Sequence, residues 1–191
     1  MTLACMTMTS PVGDLTLVAS DEGLMAVLWP DDDPARVRLG TRSETTDHPV
    51  LRDTASQLSE YFAGQRQHFS VPLHFQGTDF QRQVWAALLD IPFGETRSYA
   101  DIARAIGRPT ATRAVGAANG RNPISIIAPC HRVVGSNGAL TGFAGGVETK
   151  KYLLDLEQGG DDLFRLRQRR LSTPERDSAR PASCHCASIA L

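Results

Sequence analysis

Cys130 and His131 are neighbours in the sequence, and their side chains are of the types that carry out nucleophilic chemistry. A thiol becomes a strong nucleophile only as a thiolate, and an imidazole that accepts its proton is a common way to form one. Successive side chains of a strand point to opposite faces, so the two can interact only across a bend or through a bridging water. Taken alone, the pair fits an activated nucleophile and also an ordinary buried thiol.

The other cysteines, Cys5, Cys184 and Cys186, lie near the ends of the chain. The four cysteines follow no structural zinc spacing, and Cys184-His185-Cys186 offers only three potential ligands, so we expect no metal and no cofactor. The sequence has no run of about 18 apolar residues and no basic N-terminal region followed by a hydrophobic stretch. These features predict a cytoplasmic protein that does not associate with membranes.

The 191 residues, 41% of them hydrophobic, are enough for one domain or two small ones. Residues 1–76 predict a small α+β domain without visible chemistry. Apolar spacing and turn residues predict its elements: a hairpin over residues 15–29, a loop over 31–46, a helix over 50–62 and an edge strand over 69–75.

A second domain is predicted over residues 77–158. Thr78 begins a capping-box pattern, and the apolar spacing that follows predicts a helix that ends before Pro92. Ser98 and Thr110 can each cap a short helix, and the tight turn between these two helices contains Gly107. Two short helices joined in this way indicate a helix-turn-helix. Residues 124–128 predict a buried strand, and residues 159–191 a mostly disordered tail.

The second helix of that pair has almost no side chains on much of its surface, because it contains Ala114, Gly116 and Ala117. Such a helix can pack closely against its own core. It can also enter a narrow DNA groove, and Arg113, near its N-terminus, could then reach into the base stack. The residues alone leave both interpretations open.

The charge is unevenly distributed along the chain. Residues 1–77 contain five Arg and ten acidic residues, residues 78–157 nine basic and seven acidic residues, and residues 158–191 six Arg and four acidic residues. The slight positive excess lies in the second half of the chain. DNA binding would therefore depend on individually placed contacts as well as on the overall field.

Around Cys130 the sequence closely resembles the O6-alkylguanine-DNA alkyltransferases, also called methylated-DNA–protein-cysteine methyltransferases. The match covers about eighty residues and ends near Glu157. Its motifs are Gly77-Thr78-Asp79-Phe80-Gln81, Val84-Trp85, Ile91-Pro92-Phe93-Gly94-Glu95-Thr96, Ser98-Tyr99, Asn122-Pro123, Pro129-Cys130-His131-Arg132-Val133-Val134, Gly135-Ser136-Asn137-Gly138, Thr141-Gly142-Phe143 and Gly145-Gly146. Residues 1–76 resemble the family's N-terminal domain more loosely, through Ser10-Pro11-Val12-Gly13 and Tyr61-Phe62-Ala63-Gly64.

The resemblance implies a role for each matching residue at the reacting centre. Cys130 is similar to the alkyl acceptor, and His131 to the base that draws its proton through a bridging water. Glu157 resembles the acid that orients this histidine. Asn122 resembles the asparagine that stabilises the turn between the helix and the active-site strand.

Further matching residues imply contacts with DNA. Tyr99 resembles the residue that lies against a phosphate and donates to guanine N3, and Arg113 the residue that fills the vacated base stack. Val133 and Ala144 match the positions whose backbone carbonyl and amide contact guanine. The bare helix, with Ala114, Gly116 and Ala117, is then the surface that lies in the groove.

The implied fold is α+β, with a small RNase H-like α/β N-terminal domain and a mainly helical C-terminal domain that contains the helix-turn-helix. The implied activity is the transfer of an alkyl group from O6 of a flipped guanine in double-stranded DNA to Cys130, with O4-alkylthymine as a further candidate substrate. Base flipping costs a few kcal/mol and needs a residue that replaces the base. No group in the sequence could cleave the resulting thioether, so each molecule, expected to be a monomer, would act once.

Three other functions agree with part of the sequence. A cysteine hydrolase would use the same trio but needs an oxyanion hole and a deacylation route, and it does not explain the bare helix with Arg113. A binder that recognises alkylated DNA without repairing it is disfavoured, because the related alkyltransferase-like proteins lack the acceptor thiol that Cys130 provides. A transcriptional regulator is disfavoured because the sequence lacks the methyl-sensing cysteine domain of the fused adaptive-response regulators, and Cys5 is too isolated to replace it.

Overall fold

A computed structural model describes the backbone of residues 2–171 and the side chains of residues 2–159. The elements are, in chain order, β1 (Leu3–Met8), β2 (Leu15–Ser20), β3 (Gly23–Leu28), β4 (Arg42–Glu44), α1 (Pro49–Phe62), α2 (Asp79–Leu89), β5 (Arg97–Ser98), α3 (Tyr99–Ala105), α4 (Thr112–Gly120), a 3₁₀ turn (Cys130–Arg132), β6 (Val133–Val134) and α5 (Val147–Leu171).

The N-terminal domain is a four-stranded sheet in the order β3-β2-β1-β4 with α1 packed against it. The predicted hairpin is confirmed as β2 and β3, and the predicted helix as α1. Two strands were not predicted. β1 pairs antiparallel with β2, and the short, fully exposed β4 pairs parallel with β1 inside the segment predicted to be a loop.

The predicted strand over residues 69–75 is wrong. The backbone of this segment pairs with the sheet at an isolated bridge between Leu24 and Leu73, in which Leu24 N–H donates to the Pro72 carbonyl and His74 N–H donates to the Leu24 carbonyl. A Cβ on Gly23 would lie 2.6 Å from the same Pro72 oxygen, so glycine permits this close approach. Alternating burial therefore arises here without a ladder of hydrogen bonds.

The C-terminal domain packs α2, α3 and α4 against one another. The capping box at Thr78 and the cap at Ser98 are confirmed, and at Ser98 the Asp101 side chain completes a capping box that was not predicted. α3 and α4 form the predicted helix-turn-helix across Gly107, whose φ is 70°. Thr110 does not cap α4, because the N-cap is Ala111 and no side chain caps this helix. The Trp85 indole N–H donates to the Ala118 carbonyl at 2.8 Å and so ties α2 to α4.

The last helix differs from the prediction that a tail begins at residue 159, because α5 continues to Leu171. Residues 172–191, with Cys184, His185 and Cys186, lie outside the described part of the chain. Among the described residues, no helix has the combination of length and apolar content needed to cross a membrane.

One hydrophobic core joins the two domains. It combines sheet and α1 residues with Ile124 and Ile126 from the loop before Cys130 and with Leu153 from α5. At its edge the Trp29 ring contacts the Phe143 ring edge-on, with centroids 5.3 Å apart. The N-terminal domain is thus packed directly against the segments on either side of Cys130.

At Gly145 the backbone lies close against the N-terminal domain, because an added Cβ would lie 2.7 Å from the buried ring of Trp29. We expect Gly145→Ala to lower the free energy of unfolding by about 1–3 kcal/mol through overpacking, measured by urea denaturation. Gly142→Ala is the matched control, since a Cβ there meets nothing within 4 Å. Equal stabilities of the two variants would contradict the contact.

Candidate active site

The loop before Cys130 is a series of tight turns, so the predicted strand over residues 124–128 is wrong. Ile127 N–H donates to the Ser125 carbonyl at 2.9 Å, and Ile126 between them has φ of 73°. That is a γ-turn of the strained form, in a conformation that a β-branched residue rarely adopts. Pro129, at φ −79° and ψ 67°, centres an inverse γ-turn closed by Cys130 N–H and the Ala128 carbonyl at 2.8 Å.

Asn122 holds this strained loop from inside. Its Nδ2 donates to the Ala128 carbonyl at 2.7 Å, and its Oδ1 accepts from Ile124 N–H at 3.1 Å. The side chain is 1% exposed, so these two bonds replace the backbone ladder that a strand would have provided.

The N-terminal domain holds the same loop from outside. Val27 N–H of β3 donates to the Pro123 carbonyl at 2.9 Å. The guanidinium of Arg36 pairs with Asp32 and donates to the Asn122 carbonyl. The position of the loop therefore depends on both domains.

Cys130 lies at the end of this loop, as the first residue of the 3₁₀ turn, and is 3% exposed. Burial raises the pKa of its thiol, and the Asn122 side chain and the positive charges of Arg36 and Lys150 offset this only in part. The thiol is therefore protonated at neutral pH, and it needs a base before it can react.

His131 and Glu157 form a buried pair. The His131 Nε2 and Glu157 Oε1 atoms are 2.7 Å apart, and both side chains are inaccessible to solvent. Because a carboxylate only accepts, Nε2 must carry the proton of a neutral ring, which leaves the lone pair on Nδ1. Nδ1 is buried and has no hydrogen-bond partner within the described part of the chain.

Arg132 neutralises the same carboxylate. Its Nε donates to Glu157 Oε2 at 2.8 Å and its Nη2 to Oε1 at 3.1 Å, a bidentate arrangement, while Nη1 donates to the Ile91 carbonyl at 2.5 Å. The guanidinium also stacks over the ring of Phe93, 5.7 Å from its centroid. Glu157 is thus shared between a histidine and a permanent cation.

The charges of this cluster follow from its contacts. Burial alone would raise the pKa of Glu157, but the hydrogen bonds and charges of His131 and Arg132 lower it to about 2. Burial lowers the pKa of His131, and Arg132 and Lys150 add to that effect, although Glu157 opposes them. At neutral pH the site therefore holds an ionised Glu157 and a neutral imidazole.

Lys150 is a second buried cation, on α5. Its Nζ donates to the Val133 carbonyl at 2.6 Å and to the Thr141 carbonyl at 3.0 Å. It therefore connects the strand that follows Cys130 with the start of the glycine-rich loop. Burial lowers the pKa of Lys150.

A cavity of about 640 Å³ opens beside the helix-turn-helix. Its lining includes Tyr99, Arg113, Gly116 and Ala144, four residues singled out from the sequence, together with Phe143. Gly116 and the Tyr99 ring are neighbours in this lining, since an added Cβ on Gly116 would lie 3.8 Å from the ring, an ordinary van der Waals distance.

The lining of this cavity is connected to the acceptor through the core of the C-terminal domain. Tyr99 and Phe143 pack against the core cluster that contains Cys130 and Val133, and β5, which leads into Tyr99, pairs in parallel with β6, which follows the 3₁₀ turn of Cys130. The two expected guanine contacts, Val133 and Ala144, differ in position, because Val133 is fully buried and Ala144 lies on the exposed loop. Ala114 and Ala117 are exposed on α4 beside Arg113.

Four residues of this site did not emerge from sequence reasoning: Tyr61, Arg36, Arg132 and Lys150. Arg132 and Lys150 stand within or beside the quoted motifs, and a buried arginine or lysine next to a candidate acid was a usable signal. Tyr61 and Arg36 reach the site from the other domain. Tyr61 belongs to a motif of the family resemblance, but no local pattern assigns either residue to the site. Among the side chains of residues 2–159, no group of three or more His, Cys, Asp or Glu could hold a metal ion.

Comparison with known proteins assigns both halves of the chain. Residues 3–75 match the ribonuclease-like domain of 6-O-methylguanine DNA methyltransferase, and residues 79–159 match the DNA binding domain of that family. The methylated-DNA–protein-cysteine methyltransferase of Mycobacterium tuberculosis H37Rv is 49% identical over 154 residues, which cover 80% of this chain and 90% of that protein. The constitutive enzyme of that name from Bacillus subtilis is 46% identical over 156 residues, with coverage of 80% and 93%.

A solved structure shows the same fold. The crystal structure of Mycobacterium tuberculosis OGT in complex with DNA superposes with a TM-score of 0.75 at 46% identity and covers 82% of this chain and 94% of that one. The two domain matches, the identity with these relatives and the shared fold agree with one another. The chain belongs to the 6-O-methylguanine DNA methyltransferase family.

Proposed function

We propose that this protein repairs DNA by transferring the alkyl group of O6-alkylguanine to Cys130. The observation that supports this most strongly is the buried hydrogen bond between His131 and Glu157, directly after the buried thiol of Cys130 in the chain. The His131 ring lies edge-on to Phe143, which lines the cavity beside the helix-turn-helix. The relatives carry the name of this activity, and one of them was crystallised with DNA.

The proposed reaction begins with proton transfer from the Cys130 thiol to His131 Nδ1, directly or through water. The thiolate then attacks the alkyl carbon, so that an S–C bond forms as the C–O6 bond breaks. The bonding electrons pass to guanine, which takes up a proton, with Tyr99 as the donor at N3. Nothing in the site can cleave the thioether, so each molecule acts once and needs no cofactor.

Arg132 and Glu157 make this proton transfer possible at neutral pH. An ionised carboxylate stabilises the imidazolium that forms, as in other nucleophile–histidine–acid sites. Burial lowers the pKa of His131, and the Arg132 charge adds to this effect, so the ring is not protonated in advance. His131 is therefore a neutral imidazole before the proton transfer, and the imidazolium that it becomes is stabilised by the Glu157 carboxylate.

DNA recognition is proposed for α4 and the cavity next to it. The exposed Ala114 and Ala117 allow a close approach to a groove, and the exposed Arg113 can fill the space that a flipped base leaves. The Val133 carbonyl and the Ala144 amide would contact guanine. O4-alkylthymine presents an alkyl–oxygen bond of the same kind and is proposed as a second substrate.

We further propose a division into domains at residues 1–76 and 77–158, and action as a monomer, since one chain supplies every group of the site. Cys5 and Cys130 are free thiols, which a reducing compartment such as the cytoplasm preserves.

Glu157 should make the free energy of unfolding depend on pH in the acidic range. Because its pKa is lowered from 4.5 to about 2, the stabilisation that it provides is complete above pH 4.5 and is lost as the pH falls towards 2. Glu157→Gln should have a lower free energy of unfolding than the wild type at pH 7. This difference between the two proteins should decrease by up to about 3 kcal/mol between pH 4.5 and 2, measured by urea denaturation. The exposed Glu148→Gln on the same helix should follow the wild type; a gap independent of pH would contradict the ionised pair.

Mass spectrometry after mixing the protein with a duplex that contains O6-methylguanine tests the transfer itself. We expect one added methyl group per molecule, on the peptide that contains Cys130. The variant Cys130→Ala should gain none, and Cys5→Ala should behave as the wild type. Methyl on Cys5, Cys184 or Cys186 would refute the assignment, and so would turnover of an ester or peptide library without any transfer from DNA.

A further inference from the structure

Glu157 accepts a hydrogen bond from the other domain. The Tyr61 hydroxyl, near the end of α1, donates to Glu157 Oε1 at 2.8 Å across 96 positions of sequence. Both side chains are 1% exposed. Tyr61 is thereby the part of the N-terminal domain that lies in direct contact with the pair that activates Cys130.

The contacts of the carboxylate differ between its two oxygens. Arg132 binds both in a bidentate manner, and Gly94 N–H donates to Oε2 at 3.3 Å. Oε1 receives His131 Nε2 and the Tyr61 hydroxyl. Since Arg132 already fixes the plane of the carboxylate, the hydroxyl is not needed to orient it. The Tyr61 hydroxyl instead acts on Glu157 Oε1, the oxygen that also accepts the hydrogen bond from His131.

A hydroxyl that donates to Oε1 draws negative charge away from the His131 hydrogen bond. A carboxylate with less charge stabilises an imidazolium less, and the neutral ring is then favoured. Burial, and next the nearby Glu157 charge, raise the pKa of Tyr61, so the hydroxyl retains its proton and stays a donor.

We propose that Tyr61 is a positioning residue of alkyl transfer, which keeps His131 a neutral base by limiting the negative charge that Glu157 Oε1 presents to it. The inference rests on the proposed function. It assigns the ribonuclease-like domain a part in the chemistry, through the hydrogen bond of Tyr61 to the Glu157 carboxylate.

The other charged groups around His131 come from the C-terminal domain. Glu157 and Lys150 lie on α5, and Cys130 and Arg132 are the chain neighbours of His131; of these, Arg132 and Lys150 lower its pKa and Glu157 raises it. Tyr152, also on α5, acts on Tyr61. Removing one neutral hydroxyl changes none of these formal charges, so its effect can be isolated.

The test compares Tyr61→Phe with Thr54→Val. Thr54 is a fully buried residue of the same helix, and its hydroxyl donates only to the Val50 carbonyl of that helix. Both variants lose one buried hydroxyl, but only the first loses a contact with Glu157. The single-turnover rate of methyl transfer from an O6-methylguanine duplex is measured against pH, and the His131 ring is titrated by NMR in the DNA-free protein.

We expect the acid limb of the Tyr61→Phe rate profile to move to higher pH by about half a unit to one unit, together with the NMR titration of His131. At a pH well below the His131 pKa, the rate should fall about threefold to tenfold, while the plateau and the DNA affinity stay close to wild type. Thr54→Val should leave the profile in place. Site-specific Tyr61→3-fluorotyrosine, whose hydroxyl is a stronger donor, should move the limb to lower pH.

A Tyr61→Phe profile that coincides with that of Thr54→Val, or that moves to lower pH, would overturn the inference. The fluorinated variant retains the ring and the hydroxyl and so decides the question if Tyr61→Phe fails to fold. If the wild type transfers no methyl group, the proposed function fails instead. The NMR titration then still shows whether Tyr61 controls the protonation of His131.

Discussion

The ionised carboxylate of Glu157, enclosed in the protein interior, is the constraint on which the site depends. A buried charge is costly unless charged and hydrogen-bonding partners compensate for it. Here five donors surround it, from Tyr61, Gly94, His131 and, twice, Arg132. To bring them together, α1, the turn before β5, the 3₁₀ turn of Cys130 and α5 must all meet at one point. The requirements of the chemistry thus determine how the two domains pack.

The strained loop before Cys130 follows from the same packing. A regular strand would satisfy its own backbone, whereas this loop relies on Asn122 inside and on Val27 and Arg36 outside. The positive φ of Ile126 persists because its side chain is fully buried in the interdomain core. The strained loop thereby fixes the position of Cys130, and with it that of the neighbouring His131, near the cavity that the helix-turn-helix lines.

Local patterns in the sequence predicted the hairpin, α1, the capping box at Thr78, the cap at Ser98 and the helix-turn-helix, because each depends on residues close in the chain. The predicted strands over residues 69–75 and 124–128 were wrong, since alternating or apolar burial there comes from contacts with the other segments and not from a ladder. The likeness to a known family indicated Cys130, His131 and Glu157. Tyr61 and Arg36 could not be found, because only the interdomain packing brings them to the site.

The most direct test is the protonation state of His131, since the proposed mechanism needs this ring to be neutral, hydrogen-bonded to Glu157 through Nε2 and able to accept a proton at Nδ1. ¹⁵N NMR of the DNA-free protein at pH 7, with the ring of His131 assigned, distinguishes the three forms. The account predicts a neutral ring with the proton on Nε2 and the lone pair on Nδ1. An imidazolium, or a neutral ring protonated on Nδ1, would contradict it, because neither form could take the proton of Cys130 through Nδ1.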